Sequence, residues 1–265
     1  MTTPAPRHYA RYVAIGDSST EGLDDPDGRG GYRGWANRLA GHVAAAQPGG
    51  LLYANLAVRG RKTVEVRKQQ LGPALAMHPD LVTVFSGVND IVRRHCNVGS
   101  VARELERMMT AFTDTGATVM TITMPDLSDV APIARLVRER LLELNERVRE
   151  GCVRAGSMCV DLARVPITTD PRLWSADRLH ANTEGHTRIS AALAHALGLP
   201  GADASWADPL PPLPRSSVVT RLSDELRWTG EHLLPWLWRH ARGISSGDGR
   251  TAKRPTLETV SDDNI

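Results

Sequence analysis

Apolar residues along the first 200 positions alternate between two spacings. Short, mostly apolar runs occur at residues 12–15, 51–58, 81–85, 118–123 and 158–162. Between them, residues 35–46, 64–77, 101–112, 133–154 and 184–197 carry apolar side chains three and four positions apart. Continuous runs of this length suit strands buried on both faces of a parallel sheet, and the second spacing suits helices that cover one face. Five strands alternating with helices predict an α/β fold, a three-layer α/β/α sandwich around a parallel sheet. In such a sheet ligands bind beyond the carboxyl ends of the strands. Ser18, Gly60 and Asn89 follow three of those ends.

The pattern changes after residue 200, which closes a first domain over 1–200. Pro209, Pro211, Pro212 and Pro214 mark 201–220 as a linker or a strap over the surface. Residues 221–242 space Leu222, Leu226, Leu233 and Leu237 as an amphipathic helix interrupted by Pro235. The glycine-, serine- and charge-rich segment 243–265 reads as a flexible tail. Trp206, Trp228, Trp236 and Trp238, four of the six tryptophans, follow the first domain. Such a stripe suits docking against the body of the protein. With Arg239 and Arg242 it also suits a basic helix in peripheral contact with a membrane, or a lid over the pocket.

Composition narrows the class without naming the chemistry. The net charge of +2 over 265 residues gives no argument for a nucleic-acid partner. No window approaches the ~18 apolar residues of an integral membrane span. The polar start, with a strand beginning by Arg11, leaves no room for a secretory apolar segment. Cys96, Cys152 and Cys159 are odd in number and not clustered like metal ligands, which suits free thiols in the cytoplasm rather than a structural disulfide. The arginines and glutamates of 133–154 recur at helical spacing and read as a solvated face. Nothing in the pattern sets the oligomeric state.

Three short blocks carry reactive groups: Gly16-Asp17-Ser18-Ser19-Thr20-Glu21-Gly22, Gly87-Val88-Asn89-Asp90 and Asp177-Arg178-Leu179-His180. A serine hydroxyl is a weak nucleophile near neutral pH and needs an adjacent base and donors for the developing oxyanion. His180 offers the base, and Asp177, three residues earlier in a turn, offers the carboxylate that orients it. The backbone N–H groups of Ser18 and Gly60 and the Asn89 amide offer oxyanion donors. Each piece has a plainer alternative. Asp17 or Ser18 alone suits a helix cap, Gly60 a turn, and Asp177 with His180 a capping turn or half of a metal site. His186 is a rival base, although a position inside the last helix favours packing.

Taken together the blocks resemble the SGNH hydrolase superfamily, and its GDSL-type lipases and esterases in particular. Ser18 matches the first block, Gly60 in Asn55-Leu56-Ala57-Val58-Arg59-Gly60 the second, Asn89 the third, and Asp177 with His180 the last. The resemblance covers about residues 11–198. It implies a flavodoxin-like five-stranded sandwich and a serine hydrolase of small-molecule esters or thioesters that needs no cofactor and no metal. In that reading Ser18, His180 and Asp177 form the catalytic triad, with Ser18, Gly60 and Asn89 around the oxyanion. Two departures, Ser19 for leucine and Ala181 for proline, touch loop geometry rather than reacting groups. An acyltransferase or a carbohydrate O-deacetylase would use the same residues, and a catalytically silent binding module is the non-enzymatic alternative. The polar loops 23–32 and 124–132 hint at a small or sugar-like ester.

Overall fold

A computed structural model describes residues 7–212 and 246–261. The expected α/β/α sandwich is present. Strands β1 (Arg11–Gly16), β2 (Leu52–Asn55), β3 (Leu81–Phe85), β4 (Thr118–Ile122) and β5 (Met158–Val160) run parallel in the order β5-β4-β3-β1-β2. The strand order reverses between β1 and β3, where open α/β sheets form their ligand crevice.

Alternation along β1 divides the core. Val13 and Ile15 face one side with Val82 and Val84 of β3, and Tyr12 and Ala14 face the other. The first side is covered by α6 (Val98–Thr113) and α7 (Arg138–Ala155), through Leu105, Met108, Phe112, Leu144 and Val148. The second is covered by α2 (Gly34–Ala45) and α8 (Thr183–Ala196), through Trp35, Leu39, Val43 and Leu193. Four arginines of α7 pair with acids of the same or neighbouring segments, among them Arg149 with Asp161 at 2.8 Å and Arg154 with Glu106 at 2.8 Å, while Arg140 donates to the carbonyls of Ile91 and Arg93.

The expected helix 64–77 is broken into α3 (Thr63–Val66), a π-helical turn Arg67–Leu71 and α4 (Gly72–Ala76). Pro73 explains the break, since its ring clashes with the carbonyl four residues back in a regular α-helix. The π turn carries Gln70, buried against the end of β1. Its amide donates to the Gly16 carbonyl at 2.9 Å, and its oxygen accepts from the Gly16 N–H at 2.8 Å. The long helix also starts later than expected, because Pro132–Val137 forms a 3₁₀ turn ahead of it.

One expectation is overturned. Among the described residues a sixth strand joins the five expected parallel ones, and it comes from the segment read as a flexible tail. Strand β6 (Arg254–Thr259) pairs antiparallel with β2, Tyr53 opposite Glu258. It covers an edge that would otherwise expose unpaired backbone groups. Pro255 is compatible with an edge strand, and the Arg254 guanidinium lies 5.3 Å from the centre of the Tyr53 ring. Leu257 is its one apolar side chain, too little alternation to announce a strand. Residues 201–212 run as a strap: a turn at Ala204–Ala207 lets Arg188 donate to the carbonyls of Trp206 and Asp208, each at 2.8 Å. The rest of the expected linker, the helix 221–242 with Trp228, Trp236 and Trp238, and residues 262–265 lie outside the described residues.

All three cysteines are free, and the Cys152 thiol lies 3.8 Å from the Met109 sulfur. Among the described residues no helix is long and apolar enough to cross a membrane.

Replacing Gln70 with leucine strands the Gly16 N–H in the core and leaves its carbonyl only the Val58 N–H at 3.3 Å. We expect a loss of about 1 to 3 kcal/mol in urea-unfolding stability. A change below about 0.5 kcal/mol would mean that water or a neighbour replaces the amide at no cost.

Candidate active site

Strand β1 ends at Gly16, where a Cβ would sit 2.3 Å from the Phe85 carbonyl oxygen, so the chain can turn there only without a side chain. Asp17 caps α1 (Ser18–Glu21), its carboxylate accepting from the Ser19 N–H at 3.3 Å. Ser18 thus opens the helix at the carboxyl edge of the sheet. Its hydroxyl lies 2.9 Å from His180 Nε2.

His180 reaches this point from a turn between Trp174 and α8. Trp174 and Ala181 form an antiparallel bridge, Ser175 N–H donates to the His180 carbonyl at 2.8 Å, and Arg178 takes φ +59° at the tip. Asn182 caps α8 and donates back to the Arg172 carbonyl at 2.7 Å. Gly185 allows the start of α8 to approach, since a Cβ there would meet the Leu173 carbonyl oxygen at 2.2 Å. Inside this frame Asp177 Oδ2 lies 2.7 Å from His180 Nδ1. Its other oxygen accepts from the N–H groups of Leu179 (2.8 Å) and His180 (3.0 Å) and from the Ser175 hydroxyl (2.7 Å).

Electrostatics here follow from burial set against these bonds. Burial alone would raise the Asp177 pKa, but the hydrogen bond and charge of His180 and the two N–H donors outweigh it and hold the carboxyl well below the usual range. Burial would likewise lower the pKa of His180. The Asp177 hydrogen bond and charge, with Asp24 and Asp17 adding to them, win and raise it. Asp17 goes the other way. Burial lifts it to about 7, against the Ser19 N–H, the His180 charge and the Asn89 amide.

The structure brings Asn89 to the same place. It lies in α5 (Val88–Ile91) just after β3, and its amide donates to the Asp17 carboxylate at 3.2 Å and to the Arg61 carbonyl at 3.1 Å. Asp90 ties this turn to α3 by accepting from the Thr63 N–H at 2.9 Å and hydroxyl at 3.0 Å. Gly60, one residue before Arg61, takes φ +72° in the turn after β2. That turn is anchored to α1 by a buried ion pair, with the Arg59 backbone N–H also donating to Glu21 at 2.7 Å. Ser18, Asn89 and His180 open onto one cavity.

His186 is not part of this cluster. Its Nδ1 accepts from the Trp35 N–H at 3.0 Å and its Nε2 meets the Leu23 carbonyl at 2.9 Å; burial holds its pKa down to about 4. Asp24, in the polar loop 23–32, is a neighbour that the sequence did not single out. It sits at φ +67° with a carboxylate oxygen 3.9 Å from His180 Nδ1. Asp24, Asp177 and His180 hold ligand-type atoms within 4.8 Å of one another, but Nδ1 of His180 already faces Asp177 and Nε2 faces Ser18. Gln70, Glu21 and Arg59 had no local signal, because their partners lie 54 and 38 positions away.

Residues 14–188 match the family model of the GDSL-like lipase/acylhydrolase family. No curated protein matches the chain in sequence. The lipase/acylhydrolase from Enterococcus faecalis is similar in structure, with TM-score 0.60 at 24% identity over 74% of this chain and 100% of that one. LAE5, an α/β hydrolase enzyme from the metagenome of Lake Arreo, Spain, gives 0.60 at 23% identity over 71% and 95%. A catalytic mutant of Axe2, an acetylxylan esterase from Geobacillus stearothermophilus, gives 0.59 at 19% identity over 72% and 94%.

The Asp17 environment predicts a pH dependence of stability. Its pKa rises from about 3.9 unfolded to about 7 folded, so the fold prefers the protonated form. The contribution is complete below about pH 4 and is lost as pH rises through about 7, by up to about 4 kcal/mol. Urea-unfolding free energies of wild type and Asp17→Asn measured from pH 4 to 8 should therefore converge on the acid side and differ most at pH 8, with the variant the flatter. Parallel curves would show that Asp17 titrates normally.

Proposed function

The chain belongs to the GDSL-like lipase/acylhydrolase family, and from that premise we propose that it hydrolyses carboxylic esters through an acyl-enzyme on Ser18. The observation that carries this reading is the unbroken line of two hydrogen bonds, 2.7 Å from Asp177 to His180 and 2.9 Å from His180 to Ser18, at the mouth of a cavity. Axe2 variants described as catalytic mutants support it. They replace a serine, a histidine and an aspartate, the aspartate three positions before the histidine, as Asp177 is before His180.

In the proposed reaction His180 Nε2 takes the Ser18 proton as Oγ attacks the ester carbonyl carbon. The carbonyl π pair moves onto oxygen. The N–H groups of Ser18 and Gly60 and the Asn89 amide receive that charge, Asn89 exchanging its bond to Asp17 for one to the oxyanion. When the pair returns, the alkoxide leaves with the proton from His180. Water then attacks the acyl-enzyme by the same route, regenerating Ser18 and releasing the acid. Asp177 keeps the ring oriented and stabilises the imidazolium, so the cycle needs no metal ion.

Ser18→Ala should lose at least about 10³-fold in kcat/KM on p-nitrophenyl esters and all labelling by a fluorophosphonate probe. Undiminished hydrolysis by the purified variant would remove Ser18 from the mechanism. Asp177→Asn should lower kcat by about 10²- to 10⁴-fold. Activity needs neutral His180, whose pKa Asp177 raises, so the acidic limb of the kcat/KM profile should move to lower pH in that variant. A limb that stays in place would assign it to another group.

A further inference from the structure

Esters differ chiefly in the chains on either side of the carbonyl, and the wall beside Ser18 selects among them. The cavity that Ser18 and His180 enter is lined mostly by hydrocarbon. Met124 and Leu127 come from the loop after β4, Ile133 and Val137 from the 3₁₀ turn Pro132–Val137, Leu141 from α7 and Ile167 from the turn Pro166–Thr169.

The polar groups in the wall are already engaged with protein. Thr123 Oγ1 donates to Asp161 at 2.8 Å and accepts from the Ala163 N–H at 2.9 Å. The Thr168 hydroxyl lies 2.7 Å from the Val165 carbonyl, and Trp174 Nε1 donates to the Thr168 carbonyl at 3.0 Å. Arg188 is held by Glu184 at 2.7 Å and by two carbonyls of the strap. Two of the acids of the loop after α1 are similarly committed, Asp25 to Arg38 at 2.8 Å and Asp27 to the N–H groups of Arg29 (2.8 Å) and Gly31 (2.9 Å), while the third, Asp24, faces His180 Nδ1 at 3.9 Å. The sugar-like substrate suggested by those polar residues therefore finds few groups ready to bind its hydroxyls.

We infer that this cavity is the binding site for a linear alkyl chain of the acyl group, making medium-chain esters, rather than acetylated carbohydrate, the substrate class. The inference rests on the hydrolase reading above. A chain that leaves water for this wall gains about 0.8 kcal/mol per buried methylene, equivalent to three- to fourfold in kcat/KM per carbon until the cavity is full.

The test is kcat/KM for p-nitrophenyl acetate, butyrate, octanoate and palmitate, with fluorophosphonate titration of live Ser18 in parallel. Octanoate should exceed acetate by at least about tenfold. Val137→Asp and Ile133→Glu, on the half-buried 3₁₀ turn, should each cut the octanoate-to-acetate ratio by about tenfold, with folding checked by circular dichroism. A flat or falling series from acetate in labelled enzyme overturns the acyl site while leaving the hydrolase reading intact. So does an unchanged ratio in both folded variants. Failure to label Ser18 or to cleave any ester overturns the hydrolase reading itself.

A second inference stands on different residues. The stretch leading into β6 lies beyond the region that the family model matches, yet it touches both loops flanking Ser18. Gly247 packs so closely on the turn after β2 that a Cβ would meet the Arg59 carbonyl oxygen, adjacent to Gly60, at 2.0 Å. Lys253 Nζ donates to the carbonyls of Tyr32 (2.9 Å) and Arg33 (2.7 Å), at the end of the loop that carries Asp24. We propose that 247–253 is a clasp whose Gly247 and Lys253 are positioning residues for the Gly60 turn and the Asp24 loop.

In the full chain, Gly247→Ala and Lys253→Met should lower kcat by about 10- to 100-fold with little change in KM, as misplacement of donors predicts. Lys253→Arg should restore most of the lost kcat. If both folded variants keep wild-type kcat, or if KM alone changes, the clasp has no catalytic bearing.

Discussion

Everything at the site depends on how β1 stops. At Gly16 the chain passes so close to the Phe85 carbonyl that no side chain fits, and the Gln70 amide hydrogen-bonds both its N–H and its carbonyl, which also accepts from the Val58 N–H at 3.3 Å. The turn through Asp17 is thereby set against the core before Ser18 begins its helix. A hydroxyl that must meet an imidazole 162 residues later within hydrogen-bond distance needs such a fixed support, because a loose turn would spread it over several ångströms.

The second constraint is charge in a partly buried place. His180 faces Asp177 directly and Asp24 at 3.9 Å, with Asp17 behind the serine. Desolvation disfavours charge on the ring, but the paired carboxylate outweighs it. The three acids are not equivalent. Asp177 collects four donors and is held ionised, whereas Asp17, with two donors and near-complete burial, titrates close to neutrality. Environment, not residue type, decides which carboxyl is held ionised against His180 and which is pushed towards neutrality.

Much of the fold was legible because its signals are local. Runs such as Leu81–Phe85 announce buried parallel strands, and the helix spacing announces their covers. Asp177 and His180 stand out because three residues of one turn suffice to join them. The π turn at Arg67–Leu71 has a local cause in Pro73, yet its use, carrying Gln70 to Gly16, spans 54 positions. Strand β6 was misread as tail because a short edge strand with one apolar residue carries almost no pattern of its own.

Sequence by itself determined the sandwich, the short blocks at its strand ends and the family they belong to, since each depends on residues close together in the chain. Tertiary structure decided which histidine meets Ser18, by saturating both nitrogens of His186 with backbone partners and leaving His180 at the crevice. It also decided that the cavity wall is mostly hydrocarbon and that β6 returns to the sheet. Those outcomes arise where segments far apart in sequence compete for the same space and the same hydrogen bonds, and no local spacing records the result.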